Sequence, residues 1–238
     1  MTPNGRPVSD RAAYSAIQTQ FEGQEMIVLS DPVISRMPIE ESGEVLIDLH
    51  TVQALRLDPR MADTGASYAH LRVSVVDRLV TAQTLLPPGL YFLIIEGFRP
   101  VELQARYFDE HVARLRIVHP GQDDAWYRQR ASRYISPPEV APHVAGAAVD
   151  LTLCDTDGNE LWLGTEVNDT DTEACHTDSV AIPAEARRHR RVLSDALSAV
   201  GLVNYPTEWW HWSYGDRYWA CVTGASVARY GPTTLPAS

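Results

Sequence analysis

The spacing of apolar residues predicts one long helix in the first half of the chain. Residues 69–86 carry leucine, valine and alanine three or four positions apart, from Leu71 to Leu86, which is the period of a helix with one buried face. The residues that follow, Pro87 to Gly89, end this pattern because proline and glycine do not extend a helix. We therefore expect a helix that stops close to Leu86.

Two segments have the pattern of strands. The run LYFLIIEG at 90–97 is apolar almost throughout and has the length of a strand, which predicts a buried one. The segment AAVDLTL at 147–153 alternates instead and places Ala148, Asp150 and Thr152 on one face. The second strand therefore carries a carboxylate among small and apolar residues.

The remaining segments complete a fold that mixes helices with hairpins. Further helices are predicted at 9–21, 101–116, 122–133 and 183–201, and further strands at 25–29, 44–49, 160–163, 202–206 and 209–222. Asp157 and Gly158 predict a hairpin turn between two of these strands. Because strands and helices do not alternate regularly, the order favours the α+β class, with a central, mainly antiparallel sheet flanked by helices. No linker or repeat divides residues 1–238, which predicts a single domain.

Composition and charge narrow the possible partners. Hydrophobic residues make up 45% and charged residues 21% of the chain, as in ordinary globular proteins. The net charge of -11 argues against nucleic acids and anionic membranes, since both require concentrated positive charge. The three widely spaced cysteines form neither a disulfide framework nor a thiolate zinc site. No signal sequence and no apolar stretch of about 18 residues is visible, so we expect a cytoplasmic protein.

The stretch APHVAGAAVDLTL at 141–153 contains the first pair of candidate metal ligands. His143 and Asp150 stand close together in the sequence, and imidazole and carboxylate groups are both ordinary zinc ligands. We expect Gly146 and the neighbouring alanines to keep side-chain bulk away from a bound ion and its substrate. The alternative is a strand whose histidine and aspartate merely face solvent.

The segment TEWWHW at 207–212 adds Glu208 and, three positions later, His211. A glutamate beside a zinc-binding histidine is the group that a metallohydrolase uses to deprotonate its water. Three tryptophans lie in the same segment, so the alternative is an aromatic core strand that contains one histidine.

The segment IIEGFRPVE at 94–102 places Arg99 at the exit of the predicted buried strand. A guanidinium group is permanently charged and offers several donors, which suits a developing oxyanion or a carboxylate. The alternative is a surface arginine in a salt bridge. Taken together, two histidines and one carboxylate make a three-ligand zinc site that leaves a position for water, and Glu208 and Arg99 complete the groups of a zinc hydrolase.

These three segments resemble a known family. The motifs GFRP at 97–100, HVAGAAVD at 143–150 and EWWH at 208–211 are similar, in the same order, to those of the D-alanyl-D-alanine dipeptidase (VanX-like) family. That family belongs with the zinc D,D-peptidases of the Hedgehog/DD-peptidase fold. The resemblance covers about residues 38–220 and implies a small α+β domain with a narrow cavity that admits dipeptides rather than proteins.

The resemblance also implies a role for each motif residue. His143, Asp150 and His211 would bind zinc, Glu208 would be the general base and later the proton donor to the leaving amine, and Arg99 would stabilise the tetrahedral intermediate. The protein would then be a zinc metallopeptidase, a dipeptidase of the D-Ala-D-Ala type in cell-wall metabolism. The alternative is a non-catalytic, zinc-bearing binding module of the same fold.

The chain departs from the family at positions that the resemblance assigns to substrate binding. Ala141 replaces a serine, Phe98 replaces a tyrosine, and Asn168 replaces an aspartate that meets the ammonium end of the dipeptide. Asp169 and Asp171 are alternative acids in the same loop. We therefore expect the hydrolytic chemistry to be kept, and the substrate to be either D-Ala-D-Ala or a related dipeptide or amide of specialised metabolism.

Overall fold

The computed structural model describes residues 27, 29, 31–132, 134–170 and 172–235. Its helices are α1 (Pro32–Ser35), α2 (Val73–Gln83), α3 (Val101–Val118), α4 (Asp124–Ala131), α5 (Ala184–Ala199) and α6 (Arg217–Thr223). Its strands are β1 (Leu46–Asp48), β2 (Arg56–Leu57), β3 (His70–Arg72), β4 (Tyr91–Glu96), β5 (Ala148–Cys154), β6 (Val203–Asn204) and β7 (His211–Ser213). The helix predicted at 9–21 and most of the strand predicted at 25–29 lie outside the described residues.

Five of these strands form the central sheet, in the order β2-β4-β5-β7-β6. The outer pair β2 and β4 is parallel, and the other three neighbouring pairs are antiparallel. Strands β1 and β3 form a separate antiparallel pair. The prediction of an α+β fold with a mainly antiparallel sheet is therefore confirmed. Within the described residues, no helix is both long and apolar enough to cross a membrane.

Strand β5 lies at the centre of the sheet and is buried along its whole length. One face carries Val149, Leu151 and Leu153, which belong to the main hydrophobic core together with Leu79 of α2 and Leu193 of α5. Each such side chain stabilises the fold by about 1.5–3 kcal/mol when it is fully buried. Helices α2 and α5 thus cover this face, and Asp150 lies on the other one.

A β-bulge changes the face that the end of β4 presents. Ile94 pairs with Leu151, whereas Glu96 pairs with Asp150, so two steps along β4 match one step along β5. Directly opposed residues of an antiparallel pair point to the same side of the sheet. Ile94 therefore shares the core face with Leu151, and Glu96 shares the other face with Asp150. Without the bulge, Glu96 would follow Ile94 into the hydrophobic core.

The predicted long helix is wrong in its first turn. Residues 70–72 form β3, and helix α2 begins only at Val73. Leu71 continues the helical spacing, but the pairing of 70–72 with β1 holds this segment extended. A hydrogen bond from Arg72 N to Gly146 O also fixes its end.

Two other segments hold less strand than predicted. The turn at Gly158 is present, but within the described residues the return segment 160–163 makes a single bridge, from Glu160 to Cys154. The aromatic segment 209–222 divides into β7 and α6 because the Asp216 side chain accepts a hydrogen bond from Trp219 N and caps a helix there.

Candidate metal centre

Three buried side chains from separate parts of the chain meet at one point. His143 Nε2 lies 3.2 Å from His211 Nδ1 and 3.4 Å from Asp150 Oδ1, and His211 Nδ1 lies 3.0 Å from the same carboxylate oxygen. Each residue is at most 5% exposed. The structure thus brings together the three residues that the sequence motifs predicted as ligands.

Strand register and one short helix place these side chains. Asp150 and His211 are directly opposed on β5 and β7, so they share one face of the sheet. His143 lies in the 3-10 helix Pro142–Ala145, just before β5. Its Nδ1 donates to the carbonyl oxygen of Gly97 over 2.7 Å, since a carbonyl can only accept. That bond leaves Nε2 directed at the other two ligands, which is how metal-binding histidines are usually oriented.

The spacing and chemistry of this cluster fit a zinc ion. Zinc bonds of about 2.0–2.1 Å in a tetrahedral arrangement separate neighbouring ligand atoms by about 3.3 Å. The three separations of 3.2, 3.4 and 3.0 Å match that value. Two imidazoles and one carboxylate form a donor set of catalytic zinc sites, which keep the fourth position for water or substrate. In the part of the chain that the structure describes, this is the one cluster of three such side chains.

The charges around Asp150 prepare the site for a cation. Burial raises the pKa of this carboxyl, but the two neighbouring histidines outweigh burial and hold its pKa well below the ordinary range. Burial lowers the pKa of His143, and Asp150 raises it, with a net increase. A metal ion therefore meets an ionised carboxylate.

Glu208 lies beside the cluster, just before β7. Its Oε2 is 3.9 Å from His211 Nδ1, and its side chain lines the same cavity. Burial raises the pKa of Glu208 to about 7. A carboxyl group with a pKa near neutrality can take up a proton and release it again. The three neighbouring tryptophans are buried in the main core, so the aromatic segment anchors Glu208 and His211 at the cavity.

Arg99 borders the same cavity and is held by two buried side chains. Its Nε donates to Glu96 over 2.8 Å, its Nη2 donates to the second Glu96 oxygen, and its Nη1 donates to Gln104 over 2.7 Å. Burial lowers the pKa of Arg99, but Glu96 raises it above its ordinary value, so the guanidinium stays charged. A salt bridge is present, as the alternative supposed, but it is buried at the cavity wall rather than exposed.

A cavity of about 660 Å³ opens beside the cluster and contains two of the three predicted substrate-binding positions. Ala141 and Asn168 line it, and Asn168 has a φ of 68°, in the left-handed region that asparagine tolerates better than most residues. Phe98 does not line it and is 2% exposed, so its assignment to substrate binding stays a prediction that the cavity lining does not support. Its ring is buried in the interior, whereas the next side chain, Arg99, faces the cavity.

Gly146, near His143, makes room for a packed side chain rather than for a metal ion. A side-chain carbon on Gly146 would lie 2.3 Å from Leu46 Cδ2, and the φ of 64° is left-handed. The expectation that Gly146 keeps bulk away from the metal is therefore wrong, because the group that it makes room for is Leu46 on β1.

Comparison with known proteins identifies the family. Residues 67–225, more than half of the chain, match the D-ala-D-ala dipeptidase family. The chain belongs to this family. The resemblance that the three sequence motifs carried is confirmed.

The sequence identity between this chain and individual known proteins is low. The chain is 27% identical over 216 residues to the D-alanyl-D-alanine dipeptidase of Synechocystis sp., a match that covers 77% of this chain and 87% of that protein. It is 28% identical over 124 residues to the D-alanyl-D-alanine dipeptidase of Escherichia coli, covering 52% and 54%. The solved LdcB LD-carboxypeptidase is 14% identical with a TM-score of 0.45, covering 79% of this chain and 76% of that one.

Sequence reasoning missed one wall of the cavity. Helix α3 turns a stripe of side chains toward it, namely Gln104, Tyr107, Glu110, His111, Arg114, Leu115 and Val118. Their spacing of three or four residues was visible, but most of the stripe is polar. A polar stripe is ordinarily a solvated face, so the sequence alone gave no reason to assign it to the site.

Proposed function

We propose that this protein is a zinc-dependent peptidase that hydrolyses the amide bond of a small dipeptide of the D-Ala-D-Ala type. The observation that carries the proposal is the convergence of Glu208, Arg99 and the buried cluster on one cavity. A general base, a fixed cation and three metal ligands are the groups that metal-assisted amide hydrolysis requires.

His143, Asp150 and His211 would hold the zinc ion, which supplies Lewis acidity and lowers the pKa of a bound water. Glu208 accepts a proton from the attacking water as the new carbon–oxygen bond forms. It then gives this proton to the leaving amine as the carbon–nitrogen bond breaks. The products are an acid and an amine, and Glu208 returns to its ionised form.

Arg99 would donate to the oxygen of the scissile carbonyl as negative charge develops there. Hydrogen bonds to Glu96 and Gln104 hold the guanidinium in one orientation, so the guanidinium requires little reorganisation during the reaction. This positioning distinguishes Arg99 from an arginine that merely attracts an anionic substrate.

The same arrangement counts against a non-catalytic binding module. Structural zinc sites are normally closed by four protein ligands. Here three ligands border a cavity that reaches solvent, and Glu208 and Arg99 serve no purpose in a structural site.

The substrate's amino end is where this chain would differ from its relatives. Asn168 and Ala141 line the cavity but offer no negative charge. A charge-assisted hydrogen bond contributes about 1.5–3 kcal/mol against about 1 kcal/mol for a neutral one, so D-Ala-D-Ala should bind about 10-fold to 100-fold more weakly than with a carboxylate. We expect Asn168→Asp to improve kcat/KM for D-Ala-D-Ala. Efficient cleavage by the native protein, unimproved by Asn168→Asp, would show that another acid fills this role.

The decisive experiment combines metal analysis with a panel of D,D-, L,L- and mixed dipeptides. The purified protein should contain about one zinc and hydrolyse at least one dipeptide, whereas Glu208→Gln should keep the zinc and lose about 10² to 10⁴ in rate. A native protein with full zinc that hydrolyses no member of the panel would overturn the proposal and revive the binding module. The cytoplasmic location and the single domain over residues 1–238 stay predictions.

A further inference from the structure

The cavity extends well beyond the metal cluster, along helix α3. Gln104, which holds Arg99, and Arg114 lie on the same lining stripe, ten residues apart. A helix rises about 1.5 Å per residue, so the two positions are about 15 Å apart along its axis. The two residues of a dipeptide span only about 7 Å. A dipeptide at the metal therefore leaves the Arg114 end of the cavity empty.

The far end of the cavity is rich in hydrogen-bond donors without partners. Tyr107, His111, Arg114 and Tyr134 line it, Arg114 and Tyr134 being exposed to solvent, and no hydrogen bond or ion pair joins these side chains to other described residues. His111 Nε2 is buried without a partner. Burial lowers the pKa of His111, and Arg114 lowers it further, so the imidazole is neutral and can donate from one nitrogen.

These groups suit an acceptor with negative charge. A carboxylate accepts several hydrogen bonds at once and pairs with a guanidinium in bidentate geometry. Glu110 also lines this wall, but it forms no salt bridge with Arg114 in the described structure. Arg114 thus presents an exposed positive charge at the cavity wall that no carboxylate of the described residues pairs with. On helices, side chains tilt toward the N-terminus, which directs Arg114 back toward the metal end.

We infer that this wall, made by Tyr107, His111, Arg114 and Tyr134, is a specificity subsite for a carboxylate on an extension of the substrate beyond the dipeptide. The inference rests on the proposed function, since it assumes that the scissile bond lies at the metal. It also fits the neutral side chains near the substrate's amino end, because an acylated amine carries no charge that would require an acid. The preferred substrate is then a dipeptide whose amino group bears an acidic acyl group.

The cavity volume is consistent with such a substrate. D-Ala-D-Ala has about eleven non-hydrogen atoms, and even at the ~30 Å³ that a water molecule takes in the liquid they would fill about 330 Å³. That is half of the 660 Å³ available. A four-carbon dicarboxylic acyl group adds length in the direction of Arg114.

The test compares N-succinyl-D-Ala-D-Ala with its uncharged isostere, N-succinamoyl-D-Ala-D-Ala. Binding is measured by calorimetry on zinc-loaded Glu208→Gln protein, and kcat/KM is measured on protein with Glu208 intact. We expect the acid to exceed the amide by about tenfold in both measurements, and Arg114→Gln to remove this difference. The matched control is Arg116→Gln, which removes the same charge from the same helix at an exposed position outside the cavity wall and should keep the difference.

The outcomes separate this inference from the proposed function. Equal binding of acid and amide, or a preference that survives Arg114→Gln, would overturn the subsite even if both compounds are hydrolysed. A preference in binding that depends on Arg114, with no hydrolysis of any compound, would support the subsite and reject the hydrolase. Zinc content equal to that of the unsubstituted protein shows that each variant is folded.

Discussion

Replacing Gly97 with alanine should damage both the fold and the metal centre. A side-chain carbon at this position would lie 2.5 Å from the carbonyl oxygen of His70, 3.0 Å from that of Tyr68 and 3.0 Å from Leu71 Cγ. Two of these atoms belong to the backbone, and Gly97 N already donates to Tyr68 O over 2.7 Å, so neither can retreat cheaply. Overpacking of this kind costs about 1–3 kcal/mol, which lowers Tm by about 2–12 °C in a chain of this size.

The same substitution should weaken metal binding because Gly97 O accepts the hydrogen bond that orients His143. Loss of such a supporting contact lowers metal affinity by about 10-fold to 100-fold. Denaturation of the metal-free protein gives the stability change, and competition with a chelator gives the zinc affinity. The control is Gly65→Ala, where an added carbon meets only ordinary contacts of 3.4 and 3.5 Å. If Gly97→Ala matches Gly65→Ala in both assays, the reasoning is refuted, and a loss of stability with unchanged zinc affinity refutes the orienting role alone.

Three further outcomes follow from the site. His143→Ala and His211→Ala should lose nearly all zinc by metal analysis, whereas His189→Ala, outside the cluster, should keep it. Full zinc occupancy in the first two variants would show that these histidines do not bind the metal. Arg99→Ala should lower kcat by about 10² to 10³ with much less effect on KM, and a change confined to KM would assign Arg99 to substrate binding instead. Because Glu208 acts in its ionised form and burial raises its pKa, kcat/KM should fall as the pH drops through that pKa. The residual activity of Glu208→Gln should not show this fall at acid pH. If the fall persists in that variant, another group is responsible for it.

The candidate metal ligands could be predicted from the sequence because each stands in a short motif of few possible roles. His143 and Asp150 flank a strand with clear alternation, and Glu208 accompanies His211 in a segment that is otherwise aromatic. What the motifs could not supply is the distance between them. That distance is set by the pairing of β5 with β7, which joins residues 61 positions apart in the chain.

Other features depend on tertiary contacts that leave no local pattern. Leu71 fits the spacing of the helix although it lies in a strand, so only the pairing of this segment with β1 decides its conformation. Phe98 stands at a position that the resemblance assigns to substrate binding, yet its ring is buried in the interior. Arg114 looks like a solvated helix residue until α3 is placed beside the cavity.

The bulge in β4 means that the pairing register of this strand decides whether Arg99 is held at the cavity. If β4 paired with β5 residue for residue, with Ile95 kept but without the bulge, every motif residue would remain, yet Glu96 would turn into the apolar core. Arg99 would lose the carboxylate that aims it, and a buried charge would lose its partner at a cost of about 3–5 kcal/mol. A relative that aligns without a gap but pairs β4 without the bulge could therefore match all the candidate metal ligands and still leave Arg99 without Glu96.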